Sequence, residues 1–264
     1  MPHLEAGGRR LEYAWIGPAP EAAPTLVFLH EGLGSLGQWR DFPAALAAAT
    51  GLGALVYSRA GYGGSDPAEL PRPVRFMHHE AEVLGEVLDA AGVRDAVLVG
   101  HSDGASIALI HAGSPAGGRV RALVVEAPHV FTEPGGLASI AAIAETFRTT
   151  DLPRRLAKYH GDNTEGAFWG WNRVWLDPEF RAWNIEEFLP SIRVPTLVVQ
   201  GEDDEYGTLR QVEAIRRQVA GPVETLILPG CGHAPHRDQR ERVLDGMARF
   251  IRSAIGGARG NTEG

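Results

Sequence analysis

Short apolar runs recur along the chain at Thr25–Leu29, Ala54–Tyr57, Ala96–Val99, Ala122–Val125, Thr196–Val199 and Glu224–Leu228. They are rich in β-branched residues and bounded by Gly, Pro or Asp. Continuous runs of this length predict strands buried on both faces of a parallel sheet. Helical spacing fills the intervals: Ala81, Leu84, Leu88 and Ala91 share one face, as do Val243, Met247, Phe250 and Ile251. Ahead of the first run, His3–Ala6 and Arg10–Ile16 flank Gly7-Gly8 and predict a hairpin. Strand and helix therefore alternate. Right-handed crossovers would put helices on both faces of one sheet, with chemistry at the carboxyl ends of its strands.

The alternation lapses between Phe131 and Pro190, where the sequence becomes Ala-rich and then Trp-rich. An inserted helical cap over 132–190 is expected, set into a core made of 1–131 and 191–255. Trp169, Trp171, Trp175 and Trp183 lie in it, four of the six tryptophans of the chain. They form the cap's own small core, or Trp169, Trp171 and Trp175 line a substrate pocket. The tail 256–264 has nothing apolar to bury and is expected to be disordered.

A length of 264 residues suits one sizeable domain with an insertion. Formal net charge is −8, which repels a phosphate backbone, so nucleic acid is not an expected partner. No stretch approaches the ~18 apolar residues of a membrane span, and residues 1–8 lack a basic segment leading into an apolar run. A cytoplasmic protein with a small-molecule substrate is expected, and its oligomeric state is left open. Cys231 is the only cysteine, so no intrachain disulfide or thiolate cluster can form. Its expected role is that of a small buried apolar residue. Neither metal-ligand spacing nor a Gly-x-Gly-x-x-Gly after the first core strand is present, and no metal or cofactor is expected.

Ala96–Val99 runs into Gly100-His101-Ser102-Asp103-Gly104 and then into a helical pattern. A serine in that turn projects its hydroxyl from the strand end. The N–H of Asp103 opens the helix, where unpaired donors favour an anion. A serine hydroxyl needs a base within reach, and that base usually needs a carboxylate to fix its tautomer. Pro195–Asp204 ends a strand in Glu202-Asp203-Asp204, and Leu226–His233 leads from another strand into a Gly-bracketed loop. Asp204, with Asp203 as the neighbouring candidate, and His233, with His236 as its rival, are the acids and bases on offer.

With these motifs the chain resembles the α/β-hydrolase superfamily over nearly its whole length. The resemblance implies a mostly parallel eight-stranded sheet with helices on both faces and a cap. It further implies Ser102 as nucleophile, His233 as base and Asp204, three residues past Gly201, as orienting acid. His30-Glu31-Gly32-Leu33-Gly34-Ser35 stands where the family has its oxyanion loop. The second N–H is then that of Leu33, paired with that of Asp103; Glu31 departs from the glycine common there. His30 is expected to brace the loop and His101 to point away from the serine. Arg59–Ser65 resembles a family turn that shapes the sheet edge without reacting.

The expected reaction is hydrolysis of a small carboxylic ester. Asp103 resembles the acidic residue with which valacyclovir-hydrolase-like enzymes contact an amino group, and Glu31 and Glu126 would add negative potential, so an amino-acid ester is one expectation; the other role open to Asp103 is capping its own helix. A C–C bond hydrolase of the meta-cleavage-product type would share fold and triad. A hydrolase-fold receptor with little turnover is a reading of another class.

Overall fold

The computed structural model describes residues 1–256, and its strands follow the apolar runs. β1 (His3–Ala6) and β2 (Arg9–Ile16) form the hairpin, turned at Gly7 and Gly8 with φ of 59° and 66°. β3 (Thr25–Leu29), β4 (Ala54–Tyr57), β5 (Ala96–His101), β6 (Val120–Glu126), β7 (Thr196–Gly201) and β8 (Val223–Leu228) follow. Together they make one eight-stranded sheet in the order β1-β2-β4-β3-β5-β6-β7-β8. Pairing is antiparallel only from β1 through β2 to β4. This is the α/β-hydrolase fold. β8 departs from the expectation of burial on both faces: it is the edge strand and leaves Glu224 and Thr225 exposed.

Alternate strand residues serve two cores. Leu26, Phe28, Val56, Val97, Val99, Val124 and Val199 pack under α1 (Phe42–Thr50) and the last helix, Arg240–Gly256. Val27, Leu29, Leu98, Leu123, Val125 and Val198 face α2 (Phe76–Ala90) and α3 (Asp103–Gly113). Burial of both faces follows from this two-sided cover, and it is what made the strands legible as continuous apolar runs.

Between β6 and β7 the chain is helical: α4 (Pro134–Thr149), α5 (Leu152–His160), α6 (Thr164–Trp175) and short 3₁₀ turns. Then come α7 (Leu209–Gln218), α8 (Pro235–Asp238) and α9, the Arg240–Gly256 helix. Gly256 ends α9 and does not belong to a tail, while the rest of the expected tail lies outside the described residues. Among the described residues no helix is long and apolar enough to cross a membrane.

Candidate active site

Ser102 is the single residue between β5 and α3 and holds φ 53°, ψ −118°. Such a conformation costs a non-glycine residue about 1–3 kcal/mol and persists only when its surroundings enforce it. Here the Ser102 N–H donates to the Glu126 carbonyl at 2.9 Å, and the N–H groups of Ala105 and Ser106 close on the Ser102 carbonyl at 2.9 and 3.0 Å. The flanking glycines make the turn possible. A Cβ on Gly100 would stand 2.4 Å from the Gly104 carbonyl oxygen, and one on Gly104 would stand 2.1 Å from that of Leu29.

His233 comes from the loop after β8 and Asp204 from the loop after β7. His233 Nε2 lies 2.9 Å from Ser102 Oγ, and its Nδ1 lies 2.8 and 2.9 Å from the two carboxylate oxygens of Asp204. The carboxylate also accepts from Gln200 Nε2 at 2.7 Å and from the Tyr206 and Gly207 N–H groups at 2.8 and 3.3 Å. Burial opposes its charge, but the hydrogen bond and charge of His233 and the Tyr206 N–H outweigh burial and hold its pKa at about 2. An ionised Asp204 accepts a hydrogen bond from Nδ1–H of His233, which leaves the Nε2 lone pair to accept from the Ser102 hydroxyl. Asp203 is exposed, and its backbone N–H bonds the Cys231 carbonyl. Cys231 is buried, and burial with the surrounding carboxylates pushes its thiol up to about 11.

His236, the rival histidine, is directed elsewhere. Its Nδ1 lies 3.0 Å from both oxygens of Glu126, whose side chain is fully buried. Glu126 also accepts the His236 backbone N–H at 2.6 Å, and it is not among the residues that line the cavity at Ser102. His101 turns away from Ser102 and reaches the His233 carbonyl with Nε2 at 2.7 Å.

The loop beside the serine is held from beneath. Buried Arg59 donates to the carbonyls of His30 and Glu31 at 2.9 and 3.1 Å, and its backbone N–H donates to His30 Nε2 at 3.1 Å. His30 Nδ1–H donates to the Glu31 carbonyl at 2.7 Å. Burial, with the Arg59 cation beside it, keeps this imidazole well below its ordinary range, so it stays neutral and can both donate and accept. Arg59 thus braces the loop, a contact its turn motif did not reveal. The backbone N–H groups of Leu33 and Asp103 donate to no group among the described residues.

A cavity of about 100 Å³ opens onto Ser102 and His233, lined also by Glu31, Gly32, Leu33, Asp103, His129, Ile140, Trp171, Trp175 and Tyr206. It is small beside the ~300–1,000 Å³ of drug-sized sites. Trp171 and Trp175 line it. Trp169 does not: two positions before Trp171 on α6, it points away, donates to Glu165 and packs against Arg148 and Arg173. Glu31 borders the cavity with its carboxylate engaged, accepting from Arg237 at 3.1 Å and facing His101 Nδ1 at 3.5 Å.

Asp103 is fully buried and does not cap its own helix. Oδ1 accepts from Trp175 Nε1 at 3.2 Å, and Oδ2 has no partner among the described residues. Burial raises its pKa in spite of Arg59, the Trp175 bond and Arg72. His129, Ile140 and Tyr206 escaped the sequence reading. His129 and Tyr206 each sit a few residues past a strand's carboxyl end, the one positional signal that could have found them.

The family described as "Alpha/beta hydrolase family" matches residues 26–245. A protein of Azorhizobium caulinodans named as the carbamate hydrolase RutD is 29% identical over 230 residues, 77% of this chain and 81% of its own. The bifunctional esterase/perhydrolase DCH of Acinetobacter calcoaceticus is 26% identical over 269 residues, covering 89% and 94%. Among solved structures, the meta-cleavage product hydrolase CumD of Pseudomonas fluorescens IP01 superposes with a TM-score of 0.75 at 16% identity over 96% of this chain and 98% of that one.

Proposed function

Since the chain belongs to the alpha/beta hydrolase family, we propose that this hydrolase cleaves small carboxylic esters through an acyl-enzyme on Ser102. The observation that carries the reading is the unbroken hydrogen-bonded line from Ser102 Oγ through His233 to Asp204, at 2.9 and 2.8 Å. Relatives named as an esterase/perhydrolase and a carbamate hydrolase support attack at a carbonyl carbon.

In the first step His233 Nε2 takes the hydroxyl proton as Ser102 Oγ bonds to the carbonyl carbon. Negative charge then collects on the carbonyl oxygen, and the free N–H groups of Leu33 and Asp103 receive it. A single well-placed donor of this kind contributes about 10²–10³ in rate. The imidazolium, stabilised by Asp204, returns the proton to the departing alkoxide oxygen. Water, activated by the same imidazole, then releases the acid and restores Ser102. Residues 132–190 act as a cap, since Ile140, Trp171 and Trp175 close the cavity from that side.

Asp103 extends the proposal to amino-acid esters. A buried carboxyl with one free oxygen beside the reacting serine gains an ion pair when an ammonium group enters, which offsets the burial that raises its pKa. The test is hydrolysis of p-nitrophenyl acetate, alanine ethyl ester, propionate ethyl ester and one meta-cleavage dienoate by the wild type and Ser102→Ala. Ester turnover lost in Ser102→Ala is the expected result; equal turnover in that variant, or cleavage only of a meta-cleavage dienoate, would overturn it. A preference for the alanine ester that disappears in Asp103→Asn is expected for the finer reading.

A further inference from the structure

The buried histidines of this protein are spoken for, with one exception. His30, His101, His111, His160 and His236 each have at least one ring nitrogen in a hydrogen bond within the chain. The ring of His129 has none among the described residues, although the residue is only 5% exposed. It borders the cavity that holds Ser102 and His233.

Its placement is enforced. Leaving β6, the chain turns at Ala127, which adopts φ 47°. The backbone of His129 is then clamped by Ser106 of α3, whose hydroxyl donates to its carbonyl at 2.6 Å and accepts its N–H at 3.3 Å. Next door, the Val130 N–H donates to Gln211 Oε1 of α7 at 2.8 Å. The ring packs edge-on to Trp175 with centroids 5.2 Å apart and lies 5.8 Å from the His233 ring. Gly207 leaves the space beside it: a Cβ there would come within 3.2 Å of His129 Cε1. Held this firmly at the cavity wall, with neither ring nitrogen hydrogen-bonded among the described residues, the ring is open to a partner that enters the cavity.

We propose that His129 is a specificity-determining residue that hydrogen-bonds a polar, uncharged group, such as a hydroxyl, on the alcohol portion of the ester. The alcohol side follows from its position against His233, the imidazole that must face the departing oxygen. Burial first, and then the neighbouring His233, depress its pKa to about 4, so at neutral pH the ring offers one donor and one acceptor. A neutral ring also adds no repulsion when His233 takes up its proton. A hydroxyl can donate to the unprotonated nitrogen or accept from the protonated one, whereas a purely alkyl alcohol leaves the ring unpaired.

This inference rests on the ester-hydrolase reading, and two isosteric substrates keep the failures apart. 2-Hydroxyethyl acetate and propyl acetate share the acyl group and differ by a hydroxyl in place of a methyl. The wild type is expected to favour the hydroxyethyl ester about tenfold in kcat/KM, the worth of one buried hydrogen bond. In His129→Phe the ratio should fall to about one, chiefly through KM, and His129→Gln, which keeps a donor and an acceptor, should restore part of it. No preference in the wild type, or an equal loss on both esters in both variants, overturns the inference while Ser102-dependent hydrolysis of either ester leaves the parent reading standing. Hydrolysis of neither ester sinks both.

Discussion

Replacing Asp204 by asparagine tests the proposed relay because every group around this carboxylate is a donor. Tyr206 and Gly207 N–H groups point at Oδ1, Gln200 Nε2 at Oδ2, and His233 Nδ1 lies within 2.9 Å of both. An asparagine keeps its carbonyl on the backbone donors, so its NH₂ meets Gln200 and His233 donor to donor. His233 relieves the conflict by moving its proton from Nδ1 to Nε2, and that nitrogen then has no lone pair for the Ser102 hydroxyl. With nucleophile and base geometry intact but the tautomer wrong, kcat/KM for an ester should fall by about 10⁴, or about 5.5 kcal/mol of barrier.

Asp203→Asn, at an exposed neighbour with no side-chain partner among the described residues, should change the rate less than about twofold. A loss under about tenfold in Asp204→Asn, or the larger loss in Asp203→Asn, would refute the argument. The same carboxylate has a stability signature. Its folded pKa of about 2 lies below the ordinary 3.8. Its charge therefore contributes about 2 kcal/mol that is present in full above about pH 4 and disappears as pH falls towards 2. Urea midpoints followed from pH 6 to pH 3 should show a wild-type decline that exceeds the variant's.

His236→Leu should destabilise by about 3 kcal/mol, or a Tm drop on the order of 6–12 °C, because it strips the side-chain partner from a fully buried carboxylate. Adding Glu126→Gln should recover much of that loss, and thermal unfolding of single and double variants reads it; independent losses would sink the account. Trp171→Ala should enlarge the 100 Å³ cavity and move the preferred p-nitrophenyl ester from acetate towards butyrate or hexanoate. An unchanged chain-length profile would mean that Trp171 does not bound the acyl site.

The strands and the serine turn were legible because each is written in consecutive residues. A strand covered on both faces must be apolar throughout, and the turn at Ser102 needs Gly100 and Gly104 within two positions. The edge strand β8 was legible more weakly, since half of it faces water. The tryptophans mark where local pattern runs out. Spacing alone puts Trp171 and Trp175 on one helical face and Trp169 on another, yet which face meets the cavity depends on how α6 lies over the sheet. Glu126 shows the same limit: its position at a strand end near the serine does not reveal its partner, His236, 110 residues away.

The sequence by itself determined the order of strands and helices, the position of the reactive turn and the short set of residues from which its partners could come, since burial and backbone strain act over a few neighbouring positions. Only the tertiary structure decided that His233 meets Asp204, that Glu126 takes His236, that Arg59 holds the loop of Leu33 and that His129 stands unpartnered in the cavity. Those choices depend on distances between strand ends far apart in the chain, and packing of the sheet against its helices sets them.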